Sequence, residues 1–310
     1  MKRLFMCIFA VAGMIAAASC NKTVVEDQLH DGDEVSAVFS IDVPDEIITK
    51  AEYSDGTKAT ELYYAVYDGT TGKFLFANDQ ALQMEPDLTK EVNLKLVKNF
   101  AYDIVFWAQA PGAPYGFDKE NATITVLDKY TNFANDDLRD AFYQVLDDYK
   151  VVETPTTVEL YRPFAQINFG ANDYTDVVNL GLSMTSKVQI AGIPDVLNVL
   201  DRTVSGSVDA DFTPSPVPAA SGELLSVNGD TQTYSYVSMN YILAPQNDGN
   251  QLANVTGTFY YNNDNIVISV PNVPFRRNYR TNIIGRFFSG DVQFNVVIKP
   301  MHDGEYIKNY

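Results

Sequence analysis

Val35, Ala37, Phe39, Ile41 and Val43 are apolar, and the residues between them are mostly polar or small. That alternation is the pattern of a half-buried β-strand, and Pro44 ends it. Similar short runs follow at 62–67, 74–76, 92–96, 102–108 and 122–127, rich in aromatic and β-branched residues. Turn residues separate them, as at Asp68-Gly69 and in the loop 111–114. The run 102–108 is almost continuously apolar and holds Trp107, the only tryptophan.

One segment departs from the period of two. Asn135 or Asp136 can cap a helix, and Leu138, Ala141, Phe142, Val145 and Leu146 follow at helical spacing. The spacing predicts a short amphipathic helix of two to three turns that covers a sheet edge. Glu153-Thr154-Pro155 then marks a domain boundary. Strand-like runs resume at 157–161 and 164–169, and continue at 180–184, 187–190, 234–243, 255–261 and 266–270. Asn262 to Asn265 joins the last two as a hairpin turn, and 213–218 is a proline-rich loop. The last strands are 279–288 and 292–298. No period of about 20–50 residues recurs, which argues against solenoids and propellers. The expected fold class is all-β: two antiparallel β-sandwich domains, 34–153 and 154–310, with a short helix.

The first twenty residues are a different kind of sequence. Lys2 and Arg3 precede an apolar run of 15 residues, Leu4 to Ala18. A membrane-spanning helix needs about 20 residues to cross ~30 Å of hydrocarbon, so the run is too short. Small residues then lead to Cys20, and residues 1–19 read as a secretory signal peptide. A Cys at that place resembles the lipid-attachment site of bacterial lipoproteins, although Ala17 stands where those signals usually carry Leu. Lipid on Cys20 would anchor the mature chain to a membrane without inserting it, and 20–33 would serve as a polar, acidic tether. Cys7 would leave with the signal, so no disulfide is expected.

Charge narrows the range of partners. The chain has 310 residues, with 22 Lys+Arg against 40 Asp+Glu, for a net charge of −18. Such a surface repels nucleic acid and anionic lipid head groups. Apolar residues make up 46%, enough for a sizeable core without disulfides. Basic residues are absent from 203 to 275, and then Arg276, Arg277, Arg280 and Arg286 follow in close succession. Either they form a strip that docks an acidic neighbour, or they pair with local groups.

Catalytic chemistry finds little material. His30 and His302 lie near opposite ends, and neither a G-x-S-x-G elbow nor a phosphate-binding glycine loop is present. Zinc would need clustered Cys or His. Asp31, Asp33, Glu34, Asp136 and Asp137 lack EF-hand spacing and read as solvated acidic loops. No catalytic residue, metal or cofactor is therefore assigned. Two carboxylates would suffice for a glycosidase, but nothing selects a pair. Tyr63, Tyr64, Trp107, Tyr115, Tyr260 and Tyr261 could stack on a glycan, or fill a β core instead.

Four stretches taken together resemble the fimbrillin-like pilins (type V pilus) and related surface lipoproteins of Bacteroides-type bacteria. They are Glu61-Leu62-Tyr63-Tyr64-Ala65-Val66-Tyr67-Asp68, Arg162-Pro163-Phe164-Ala165-Gln166-Ile167-Asn168-Phe169, Asn278-Tyr279-Arg280-Thr281-Asn282-Ile283-Ile284-Gly285, and residues 292–298 followed by Asp303-Gly304-Glu305-Tyr306. The resemblance implies transthyretin-like sandwiches, no enzymatic activity, and travel as a lipoprotein to the outer membrane. It also implies that a trypsin-like protease removes an N-terminal strand, and that a strand of another fimbrial subunit fills the vacated groove. In this chain Val35, Ala37, Phe39, Ile41 and Val43 would be the displaced strand. Val292, Phe294, Val296 and Ile298 would be the donor, or else an ordinary edge strand. No Arg occurs between Arg3 and Arg139, so Lys50 becomes the candidate cleavage site, unless the subunit stays uncut as an anchor. Any host or glycan ligand is left open.

Overall fold

The computed structural model describes residues 33–44, 55–222, 225–227, 230–246 and 249–301. Cys20, Lys50, His30 and His302 lie outside them, as do the signal segment and most of the tether. Strand is nearly the only regular secondary structure in the described chain. The first half contains β1 (Glu34–Asp42), β2 (Glu61–Asp68), β3 (Phe74–Ala77), β4 (Leu82–Gln83), β5 (Thr89–Val97), β6 (Tyr102–Gln109), β7 (Tyr115–Asp118), β8 (Thr123–Val126) and β9 (Ala141–Tyr149). The second half adds β10 (Thr156–Glu159), β11 (Phe164–Ala171), the short helix α1 (Tyr174–Asn179), β12 (Met184–Ile193), β13 (Val196–Asn198), β14 (Val204–Ser205), β15 (Val208–Asp211) and β16 (Ser215–Pro216). It closes with β17 (Leu225–Val227), β18 (Asp230–Gln232), β19 (Ser235–Leu243), β20 (Gln251–Tyr261), β21 (Asp264–Phe275), β22 (Tyr279–Arg286) and β23 (Gln293–Pro300).

The first sandwich packs the sheet β10-β1-β5 on the sheet β3-β2-β6-β9. Inward side chains of β1 and β5, among them Ala37, Phe39, Ile41, Val92 and Leu94, meet Leu62, Val66, Ile104, Phe106 and Phe142. The second sandwich packs β19-β11-β22-β23 on β15-β12-β20-β21. Ile167, Phe169 and Ile283 there face Val188, Val255, Phe259 and Ile268. Gly257 lies where a Cβ would come within 2.8 Å of the Phe169 ring, so the sheets approach closely at that point.

The sandwiches are not isolated from each other. The second face of β6 and β9, with Trp107 and Tyr143, belongs to the same buried cluster as Phe164 and Tyr241. Covering on both faces explains why β6 reads as continuously apolar. Two pairings also cross residue 153: β10 lies parallel to β1, and β13 pairs with β8.

The predicted helix over 135–146 is not formed. Asp136 does cap, accepting a hydrogen bond from the Leu138 amide, but only one 3-10 turn follows, Asp137–Arg139. Residues 141–149 are the strand β9, paired with β6. β9 buries residues on both faces, so its apolar positions do not alternate and imitate a helical stripe. The Asn262-Asn263 turn between β20 and β21 is as expected, with both residues at positive φ, +47° and +63°.

Candidate functional site

β1 is the middle strand of its sheet. It runs antiparallel to β5 over its whole length, from Glu34↔Val97 to Asp42↔Thr89, and parallel to β10 from Phe39↔Thr156 to Asp42↔Glu159. Neither β5 nor β10 has another partner in that sheet. Ala37, Phe39, Ile41 and Val43 point into the core and are at most 1% exposed, whereas Val35 is half-buried. The Phe39 ring sits 5.5 Å from Phe106 and 5.1 Å from Tyr149. Without β1 the sheet would lose its centre, leaving β5 and β10 with open edges above an apolar trough.

β23 has the opposite character. It pairs only with β22, and no strand lies on its other side among the described residues. Gln293 through Val296 are exposed, and Phe294 keeps 37% of its surface in solvent although it is aromatic. Val292, Phe294 and Val296 therefore form an apolar row on an edge strand, a combination that invites pairing with another chain. Ile298 continues the row half-buried.

Two features fix how β23 is held. The buried Asp173 carboxylate accepts hydrogen bonds from the amides of Phe287, Phe288 and Ser289 at 2.7–3.0 Å and from the Ser289 hydroxyl at 2.9 Å. It pins the loop that follows β22. Gly285, in β22, faces the β23 backbone so closely that a Cβ would stand 1.8 Å from the Gln293 carbonyl oxygen. Gly285→Ala should push β23 off β22 without touching the β1 sheet. Faster hydrogen exchange confined to 293–300 checks this, and unchanged protection there would contradict it.

A polar junction sits between the sandwiches. Arg162 is fully buried and donates to Asp140 through Nε and Nη2, each at 2.7 Å, and its guanidinium lies 4.7 Å from the Phe142 ring. Burial pulls its pKa down, but the charge and hydrogen bonds of Asp140, with Tyr241 and Asp137, together outweigh it and the net direction is up. Arg139 pairs with Asp128 and lies 5.1 Å over Phe212. Burial drives the Tyr115 phenol well above its ordinary pKa, and its hydroxyl donates to the Arg139 carbonyl at 2.5 Å. These groups are interlocked parts of the core.

Several sequence candidates take structural roles. Trp107 and Tyr115 are buried, stacked edge-on 5.6 Å apart, and have no face for a sugar. Tyr63 sits beneath Lys119, and Tyr260 and Tyr261 are half-exposed. The four Arg residues do not line up as one strip. Arg276 stacks on Tyr279, and Arg277 stacks on Tyr143 and donates to the Arg162 carbonyl. Arg280 is buried, and Arg286 donates to Ser289. Local pairing is the reading the structure supports. The sequence does not mark Asp140 or Asp173 as special, because their partners arrive from remote segments. Among the described residues no group of three or more His, Cys, Asp or Glu is arranged to hold a metal. No helix among them is long and apolar enough to cross a membrane.

The described residues thus form an all-β sandwich protein whose first strand is central and fills the core and whose last strand is exposed and apolar. Residues 29–310 match the model of a family of unknown function, DUF6562, and the chain belongs to that family. No curated protein matches it. Among solved structures it is similar to the tip fimbrial protein Mfa3 of Porphyromonas gingivalis with a C-terminal truncation, at 11% identity and TM-score 0.46 over 86% of this chain and 100% of that one. It is also similar to a fimbrial assembly protein of Parabacteroides distasonis, at 12% identity and TM-score 0.45 over 86% and 99%. A fimbrial protein of Bacteroides vulgatus shows 9% identity and TM-score 0.47 over 87% and 100%.

Proposed function

We propose that this chain is a non-enzymatic surface lipoprotein of the fimbrial kind, tethered to the outer membrane through lipid on Cys20, that joins other subunits by strand exchange. Cleavage after Lys50 would release the segment containing β1. A strand with the side-chain pattern of β23, from a neighbouring subunit, would then occupy the trough.

The observation that carries this reading is the match between the two rows. In chain order, Ala37, Phe39, Ile41 and Val43 correspond to Val292, Phe294, Val296 and Ile298, so both have phenylalanine second and β-branched residues third and fourth. The first set is buried and the second largely exposed. Inserted with the polarity of β1, the incoming strand would run antiparallel to β5 and parallel to β10, with Phe294 in the Phe39 pocket. Burying a large apolar side chain is worth about 1.5–3 kcal/mol, so three of them offer on the order of 5–9 kcal/mol before the cost of ordering the strand. Backbone pairing to two edges adds register. The two units, 34–153 and 154–310, would remain linked by the pairing of β8 with β13 and by the shared core after cleavage.

Limited trypsin digestion of the mature protein tests the reading. Product whose N-terminus sequences as Ala51 should form a ladder of multimers on native gels. Product with that same N-terminus that stays monomeric at high concentration would refute strand exchange.

A further inference from the structure

The sheet β15-β12-β20-β21 buries one face, with Met184, Val188, Phe259 and Ile268, and turns the other to solvent. Cross-strand register places Thr185, Tyr260 and Asn265 in one row on the outer face. The next rows hold Lys187, Thr258 and Val267, then Gln189, Thr256 and Ser269. In a chain with 40 acidic residues this surface is mostly hydroxyl and amide.

At the hairpin end the surface forms a shallow, open hollow of about 420 Å³, lined by Ser183, Thr185, Tyr260, Asn263, Asp264 and Asn265. The positive φ angles at Asn262 and Asn263 set the turn that forms its rim. Asp264 Oδ1 is engaged by the Asn265 amide at 2.8 Å.

The lining decides what could bind. It contains no Lys or Arg, so nothing there would hold a phosphate, sulfate or carboxylate group. It offers one carboxylate, whereas a calcium ion takes about six to eight oxygen ligands. Ser, Thr, Asn and Tyr side chains each donate and accept, as the hydroxyls of an uncharged polyol do. The half-buried Tyr260 ring adds an apolar surface that suits the C–H face of a pyranose. We infer that this hollow binds a neutral oligosaccharide, with one or two sugar units against Tyr260. The site lies on a different sheet from β1 and from β23, and it stands independently of strand exchange.

The test uses the intact mature chain, titrated by NMR with cellohexaose, mannohexaose, maltohexaose and xylohexaose. At least one should bind and shift the amides of 260–265. Tyr260→Ala should weaken that binding about tenfold or more, ~1.4 kcal/mol, while Gln189→Ala leaves it unchanged. Asn265→Ala, at an exposed hairpin position, gives a second readout should Tyr260→Ala fold poorly, and should weaken binding as well. The proposal is overturned if none of the four probes binds at millimolar concentration. It is equally overturned if a bound probe is indifferent to both substitutions.

Discussion

Phe39→Ala should lower the free energy of unfolding by about 3–5 kcal/mol, the range for removing a buried aromatic side chain. Phe294→Ala should change it by no more than about 1 kcal/mol, since a partly exposed side chain leaves little cavity. Phe39 is fully buried between Phe106 and Tyr149, and Phe294 retains 37% exposure on an edge strand. Assembly should invert this order. Phe294→Ala would remove the side chain that fills the vacated pocket and abolish multimers of cleaved protein. Phe39→Ala would alter only the segment that leaves, so multimers should form as readily or more so. Urea denaturation and native gels on the two variants separate the effects. Equal loss of multimers in both would mean that β23 is an ordinary edge strand.

The second large effect is expected at Arg162. Arg162→Met leaves the Asp140 carboxylate buried without its counter-charge and should destabilise by about 3–5 kcal/mol. The double variant Arg162→Met with Asp140→Leu should recover much of that loss, because replacing a buried ion pair with apolar groups of similar volume is often neutral. A denaturant series on the two single variants and the double gives the coupling energy. Near-additive losses would show that Arg162 acts through its stacking on Phe142 and not through the ion pair. The pair joins the entry of β9 to the entry of β11, so the loss should register as weaker coupling between the sandwiches, read as a broadened or split unfolding transition.

Tyr115 and Trp107 illustrate where sequence reading stops. Their residue types suit both sugar stacking and a core, and only the arrival of Phe164 and Tyr241 from beyond residue 153 chooses between them. The four Arg residues are similar. They are close in sequence, yet Arg276 and Arg277 lie in the turn between β21 and β22 and Arg280 and Arg286 lie near opposite ends of β22, so each finds a different neighbour.

The alternation at 35–43 and the turn residues were enough to specify strands, the all-β class and the apolar row at 292–298, because a period of two is local and needs no partner. Three features came only from the tertiary structure. Residues 141–149 became a strand because layers cover both of its faces, which erases the alternation. β1 became a central strand because β10 returns beside it in parallel, and parallel pairing requires a long connection that leaves no local trace. Asp140 and Asp173 became buried anchors because their partners lie 22 and 114–116 residues away in the chain, beyond the reach of any sequence window.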